Sequence, residues 1–165
     1  MKQEKSFSQY WLYSLFPEKI VLYLKLIRLE KPIGFLLLVW PCWFALAIFS
    51  ITDVKWYILF FLGSFFMRSA GCIINDYFDR YIDRGVKRTS NRPLAKKSIS
   101  LFKVFIFLVS LLILSSIVLL QFNSIAIIVA LISIPLVIIY PLMKKYTYWP
   151  QLFLGFTFNW GVLVA

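Results

Sequence analysis

Residues 56–83 read WYILFFLGSFFMRSAGCIINDYFDRYID, and this stretch decides how the chain is understood. From Trp56 to Ile74 the run is almost wholly apolar, broken by one charge at Arg68. It then passes, with no proline between, into Asn75-Asp76-Tyr77-Phe78-Asp79-Arg80-Tyr81-Ile82-Asp83, which holds three of the chain's seven acidic residues. An apolar run of about 20 residues is what a helix needs to cross a bilayer core. Carboxylates at its boundary are costly unless cations or water compensate them, so a divalent-ion site is the natural expectation.

Working outward, four more apolar runs follow the same rule. The expected fold is all-α, a polytopic transmembrane helical bundle of about five spans at 33–50, 56–76, 101–120, 124–140 and an incomplete 151–165. Pro41 is expected to kink the first span. Residues 1–32 mix Lys2, Lys5, Lys19, Lys25 and Arg28 with large apolar side chains and lack the order of a cleavable leader. Ile20, Leu24 and Ile27 recur at helical spacing, which predicts an interfacial amphipathic helix ahead of a membrane domain over 33–165.

Composition agrees. Of 165 residues, 61% are hydrophobic, above the roughly 45–50% of soluble domains. The net charge of +11 lies in short segments between apolar runs, so it reads as topology and not as a nucleic-acid surface. The connections 51–55 and 121–123 are nearly uncharged. The segment from Arg80 to Lys103 carries eight cations and the next connection carries Lys144 and Lys145, which puts these two, with the N-terminus and the acidic motif, on the cytoplasmic side. There is no His, and Cys42 and Cys72 sit in separate apolar runs, so a zinc site or disulfide framework is not expected.

If the second span continues as helix, Asp76, Asp79 and Asp83 fall at i, i+3 and i+7 along one face, with Asn75 four residues before Asp79. Mg²⁺ takes hard oxygen ligands and is commonly held by one or two carboxylates plus substrate phosphate oxygens. The basic loop from Arg84 to Pro93 supplies guanidinium and ammonium groups that can clamp a diphosphate. Arg68 lies on nearly the same face as the motif. It reads either as an anchor for the site, or as a structural cation paired with an Asp or a snorkelling side chain. For the motif, the competing reading is a solvated mixed-charge run.

These residues resemble the UbiA superfamily of intramembrane prenyltransferases, whose first aspartate-rich motif, N-D-x-x-D-x-x-x-D, is matched by Asn75, Asp76, Asp79 and Asp83. Further matching stretches are 28–34, 68–72, 86–95, 140–147 and 149–151, and the likeness is closest to the branch that prenylates 4-hydroxybenzoate in ubiquinone synthesis. The resemblance implies transfer of a polyprenyl group from polyprenyl diphosphate to the ring of 4-hydroxybenzoate in the bacterial inner membrane, with Mg²⁺ as cofactor. It implies Asp76 and Asp79 as catalytic, metal-binding residues with Asp83 as a further metal ligand. Asn75, Arg68, Arg88, Arg92, Lys144 and Lys145 would bind substrate.

Family members carry a second aspartate-rich motif in a later half, whereas no acidic residue follows Asp83 here. The expectation is therefore the first half of a roughly nine-helix fold, acting with a missing C-terminal half or inactive alone. Another prenyltransferase of the superfamily, with a haem or different quinone precursor, is the nearest rival. A small transporter is the other class, and its acids would be expected nearer mid-span.

Overall fold

The computed structural model describes residues 15–146 and 149–165. Among these, every regular element is helical: α1 (Glu18–Leu26), α2 (Ile33–Ile48), α3 (Val54–Gly85), α4 (Leu101–Leu119), α5 (Ser124–Tyr146), α6 (Pro150–Asn159) and α7 (Gly161–Val164). The all-α membrane fold is the one expected. α3 and α4 are long and apolar enough to cross a membrane, while α2 and the apolar parts of α5 and α6–α7 are shorter.

α3 organises the bundle. The Asp53 carboxylate caps its first turn by accepting from the Lys55 backbone N–H at 2.9 Å. With no proline inside, the helix runs 32 residues to Gly85, so the acidic motif is helical throughout. Val86 then turns extended and ends it. By contrast α2 contains Pro41 and stays helical on both sides of it, from Ile33 to Ile48. α5 starts where the Asn123 side chain accepts from the Ala126 N–H at 2.7 Å.

Two apolar clusters hold the helices. In the first, Leu26 of α1 packs with Ala70 and Ile73 of α3, Leu94 and Ile99 of the basic loop, and Val104 and Leu111 of α4. α1 thus lays Leu22, Tyr23 and Leu26 against protein and leaves Ile20 exposed. In the second, Cys42 and Leu46 of α2 meet Phe60 of α3, with Trp43, Trp56, Tyr57 and Phe122 around them. The Trp160 indole N–H donates to the Val129 carbonyl at 2.9 Å and ties the end of α6 to α5.

α7 passes so close to α2 that a Cβ on Gly161 would collide with the Cys42 sulfur, so any larger residue there would force that side chain or the helices to shift. The outer surface is apolar: Leu37, Trp40, Phe44 and Ile48 on α2 and Phe102, Phe105, Ile106, Ile113 and Ile117 on α4 are exposed. Such stripes suit lipid and not water.

Candidate functional site

The site forms where α3 leaves the apolar layer and meets the chain reversal between α1 and α2 and the basic loop 86–100. Asp76 is 2% exposed. Its Oδ1 accepts from the Arg28 guanidinium at 2.5 Å and from Arg92 at 3.1 Å. The same Arg92 nitrogen donates to Asp83 Oδ2 at 2.6 Å. One turn along, the Asn75 amide donates to Asp79 Oδ2 at 3.1 Å.

The fold produces this arrangement locally. Asp76 and Asp83 are seven residues apart, two helical turns, and one guanidinium spans the gap. The loop is held against the helix by the Thr89 hydroxyl, which donates to the Asp83 carbonyl at 3.2 Å, and by Arg84 Nε, which donates to the Ala95 carbonyl at 3.0 Å. Pro93, Leu94 and Ala95 are buried beneath it. Arg28 enters from the other side in a left-handed conformation, φ 55°. A non-glycine residue held there is strained by about 1–2 kcal/mol, and the reversal delivers its side chain to a carboxylate 48 residues away. Burial pulls the Arg28 guanidinium down, and the charge and hydrogen bond of Asp76 outweigh it, so the group sits above its ordinary value and stays charged.

Beside these ion pairs lies a cavity of about 400 Å³ between residues 27–35 and the α3 turn at Phe65, Arg68, Ser69 and Cys72. Arg28, Lys31 and Arg68, against the single acid Glu30, give its wall net positive charge, and Phe35 and Phe65 give it flat apolar surface. Arg68 does not meet an Asp. Its guanidinium lies 5.5 Å from the Phe158 ring and against Gly34, where a Cβ would stand 2.8 Å from Arg68 Nε.

Of the residues singled out in the sequence, Asp76, Asp83 and Arg92 are brought into one network, and Asn75 joins Asp79. Arg88 is exposed on the loop. Lys144 and Lys145 lie in the last turn of α5, and their side chains fall outside the described residues, as do residues 1–14 of the N-terminal segment. Arg28 was not among the residues singled out for the site; the signals for it were the matching stretch 28–34 that it opens and its place as a cation at the entry to the first span.

The three aspartates do not converge. Positions i, i+3 and i+7 spread over about 10 Å of helix, and no group of three or more His, Cys, Asp or Glu among the described residues forms a cage. The donor set nonetheless fits Mg²⁺. Asp76 and Asp79 present hard oxygens one turn apart, both contacts on Asp76 fall on Oδ1, and Mg²⁺ shared with phosphate oxygens needs only one or two carboxylates.

The family model described as "UbiA prenyltransferase family" matches residues 35–165. The chain is 47% identical over 153 residues to the mitochondrial 4-hydroxybenzoate polyprenyltransferase of Rattus norvegicus, covering 90% of this chain and 41% of that one. It is 45% identical over 150 residues to the 4-hydroxybenzoate octaprenyltransferase of Pasteurella multocida, covering 90% and 52%. To the mitochondrial 4-hydroxybenzoate polyprenyltransferase of Arabidopsis thaliana it is 43% identical over 159 residues, covering 94% and 39%. The chain spans between 39% and 52% of the length of these curated relatives. No solved structure matches it.

Proposed function

Because the chain belongs to the UbiA prenyltransferase family, we propose that it serves in transfer of a polyprenyl group from its diphosphate to the ring of 4-hydroxybenzoate, a step of ubiquinone synthesis. The proposed setting is the bacterial inner membrane, with the Gly85 end of α3 facing the cytoplasm. The observation that carries the reading is the buried Asp76, bound to Arg92 and to Arg28, and Arg28 is itself part of the wall of the neighbouring cavity.

In this reading Asp76 and Asp79 hold Mg²⁺. When bound, the ion supplies positive charge that draws electrons toward the departing diphosphate. Arg92, and Arg88 from the same loop, donate to diphosphate oxygens. Asp83 keeps Arg92 aimed at the site when it is not so engaged. Arg68 and Lys31 take the acceptor's carboxylate, and Phe35 and Phe65 flank its ring. Held so, the ring carbon ortho to the hydroxyl bonds to the first prenyl carbon as the C–O bond to diphosphate breaks. Diphosphate leaves with the bonding pair, and the ring loses a proton to regain aromaticity. The apolar surroundings exclude water from the developing allylic cation and strengthen each charge contact.

The test is a chimera in which this chain replaces the matching half of the Pasteurella multocida relative. It is assayed in membranes with a long-chain prenyl diphosphate, 4-hydroxybenzoate and Mg²⁺. Mg²⁺-dependent prenylated acid, lost on Asp76→Asn, is the expected result. An inserted chimera that makes no product while the intact relative does would overturn the reading.

A further inference from the structure

α3 has a second face that the acidic site does not use. Each helical position turns about 100°, so Tyr77, Arg80, Tyr81 and Arg84 share a face roughly a third of a turn from the aspartates. Arg80 lies 4.1 Å from the Tyr77 ring and 4.6 Å from the Tyr81 ring. It donates to the Tyr77 carbonyl at 2.9 Å and to the Tyr81 hydroxyl at 3.5 Å. Arg84 lies 5.2 Å from the same Tyr81 ring while its Nε holds the loop at Ala95.

That loop brings a third cation. Lys97 sits at φ 56°, where the chain turns back after the Lys96 N–H has bonded the Arg92 carbonyl and before Ser98 N–H bonds Pro93. Because Arg84 lies over the Tyr81 ring and also holds the Ala95 carbonyl, Lys97, two residues further on, is brought to the same face. Three cations therefore surround one exposed phenol. Among the described residues no carboxylate pairs with any of them, since the ion pairs nearby are all on Asp76 and Asp83.

The level of this patch follows from helix length. Asp53 caps α3 and Lys55 lies 5.3 Å from the Trp56 ring, which marks one membrane boundary. About 20 residues cross the hydrocarbon core, so from Trp56 the core ends near Asn75. Tyr77 to Arg84 then stand in the headgroup layer, where tyrosine rings settle and basic side chains meet lipid phosphate.

We propose that this face binds anionic phospholipid, with the headgroup phosphate set among Arg80, Arg84 and Lys97 and the glycerol region against the exposed Tyr77 and Tyr81 rings. The site is separate from the acidic face and does not depend on prenyl transfer. Its role is to fix the height of α3 and hold loop 86–100 at the membrane surface.

The test uses the full chain in nanodiscs of pure phosphatidylcholine and of equimolar phosphatidylcholine and phosphatidylglycerol. Phosphatidylglycerol is expected to raise the unfolding temperature by about 5 °C. The shift should vanish in the double variant Arg80→Gln and Lys97→Gln and survive in Lys87→Gln, which removes a loop charge outside the cluster. Equal unfolding temperatures of the unsubstituted chain in the two discs would overturn the proposal. So would a shift that the double variant keeps, or that Lys87→Gln also abolishes. Inorganic phosphate added to pure phosphatidylcholine discs should give no shift; an equal one would make the site a soluble-anion site and overturn the lipid assignment. Should the double variant fail to fold, Lys97→Glu with native mass spectrometry of retained lipid decides the point. Loss of phosphatidylglycerol from that variant is expected, and undiminished retention overturns the proposal.

Discussion

At the residue scale, the key unit is one buried carboxylate between two guanidiniums. Asp76→Asn keeps the shape and removes the charge, leaving Arg28 and Arg92 under-compensated. We expect a loss of about 3 kcal/mol, read as a lowered unfolding midpoint in a membrane mimetic. The same substitution should abolish Mg²⁺-dependent diphosphate binding, measured by titration. Gly34→Ala should act differently. Its Cβ would meet Arg68 Nε at 2.8 Å, so the flexible guanidinium must shift within the cavity. The expected result is a KM for 4-hydroxybenzoate raised about tenfold in the chimera with little change in stability, an energy of about 1.4 kcal/mol. A third residue responds to pH. Burial holds the Glu30 carboxyl above its ordinary 4.5, against the pull of Lys31. The folded chain takes up that proton more readily than the unfolded one, so this contribution falls as pH rises through the window above 4.5. Glu30→Gln should flatten that part of the stability profile, as thermal melts across the window will show. The acidic face was legible in the sequence because spacing alone fixes it. The pairing of Asp76 with Arg28 was not, because Arg28 arrives through a left-handed residue that only the folded chain explains.

At the element scale, α3 couples membrane and site because it does not stop at the membrane boundary. The continuation to Gly85 was legible from the absence of proline and the i, i+3, i+7 acids. The state of the following segment was not. Eight cations between Arg80 and Lys103 give it the look of a solvated loop, yet Leu94, Ala95 and Ile99 turn inward and join the core with Leu26 and Ile73. Inserting one alanine after Arg80 tests the coupling. Asp83 would rotate by about 100° away from Arg92. We expect faster amide exchange over residues 86–100, with protection in the apolar part of α3 unchanged. Retained protection in the loop would show that its apolar anchors suffice without the bridge.

At the scale of the whole molecule, the all-helical membrane fold was legible because hydrophobic runs are set by the bilayer and not by packing detail. Orientation can be checked directly. Cys42 and Cys72 are 3% and 2% exposed and contribute little background. An impermeant maleimide should label Ser90→Cys from the cytoplasmic side and Gln121→Cys from the other, and labelling of both from one side would refute the topology. The close passage of α7 over α2 makes one of those buried thiols useful in its own right. Cys42 is 3% exposed with its sulfur packed against Gly161, so an alkylating reagent is expected to reach it when the two helices part. Its reaction rate with a small permeant reagent is therefore a clock for their separation, and a native thiol reports how often the bundle opens without a probe being engineered into it.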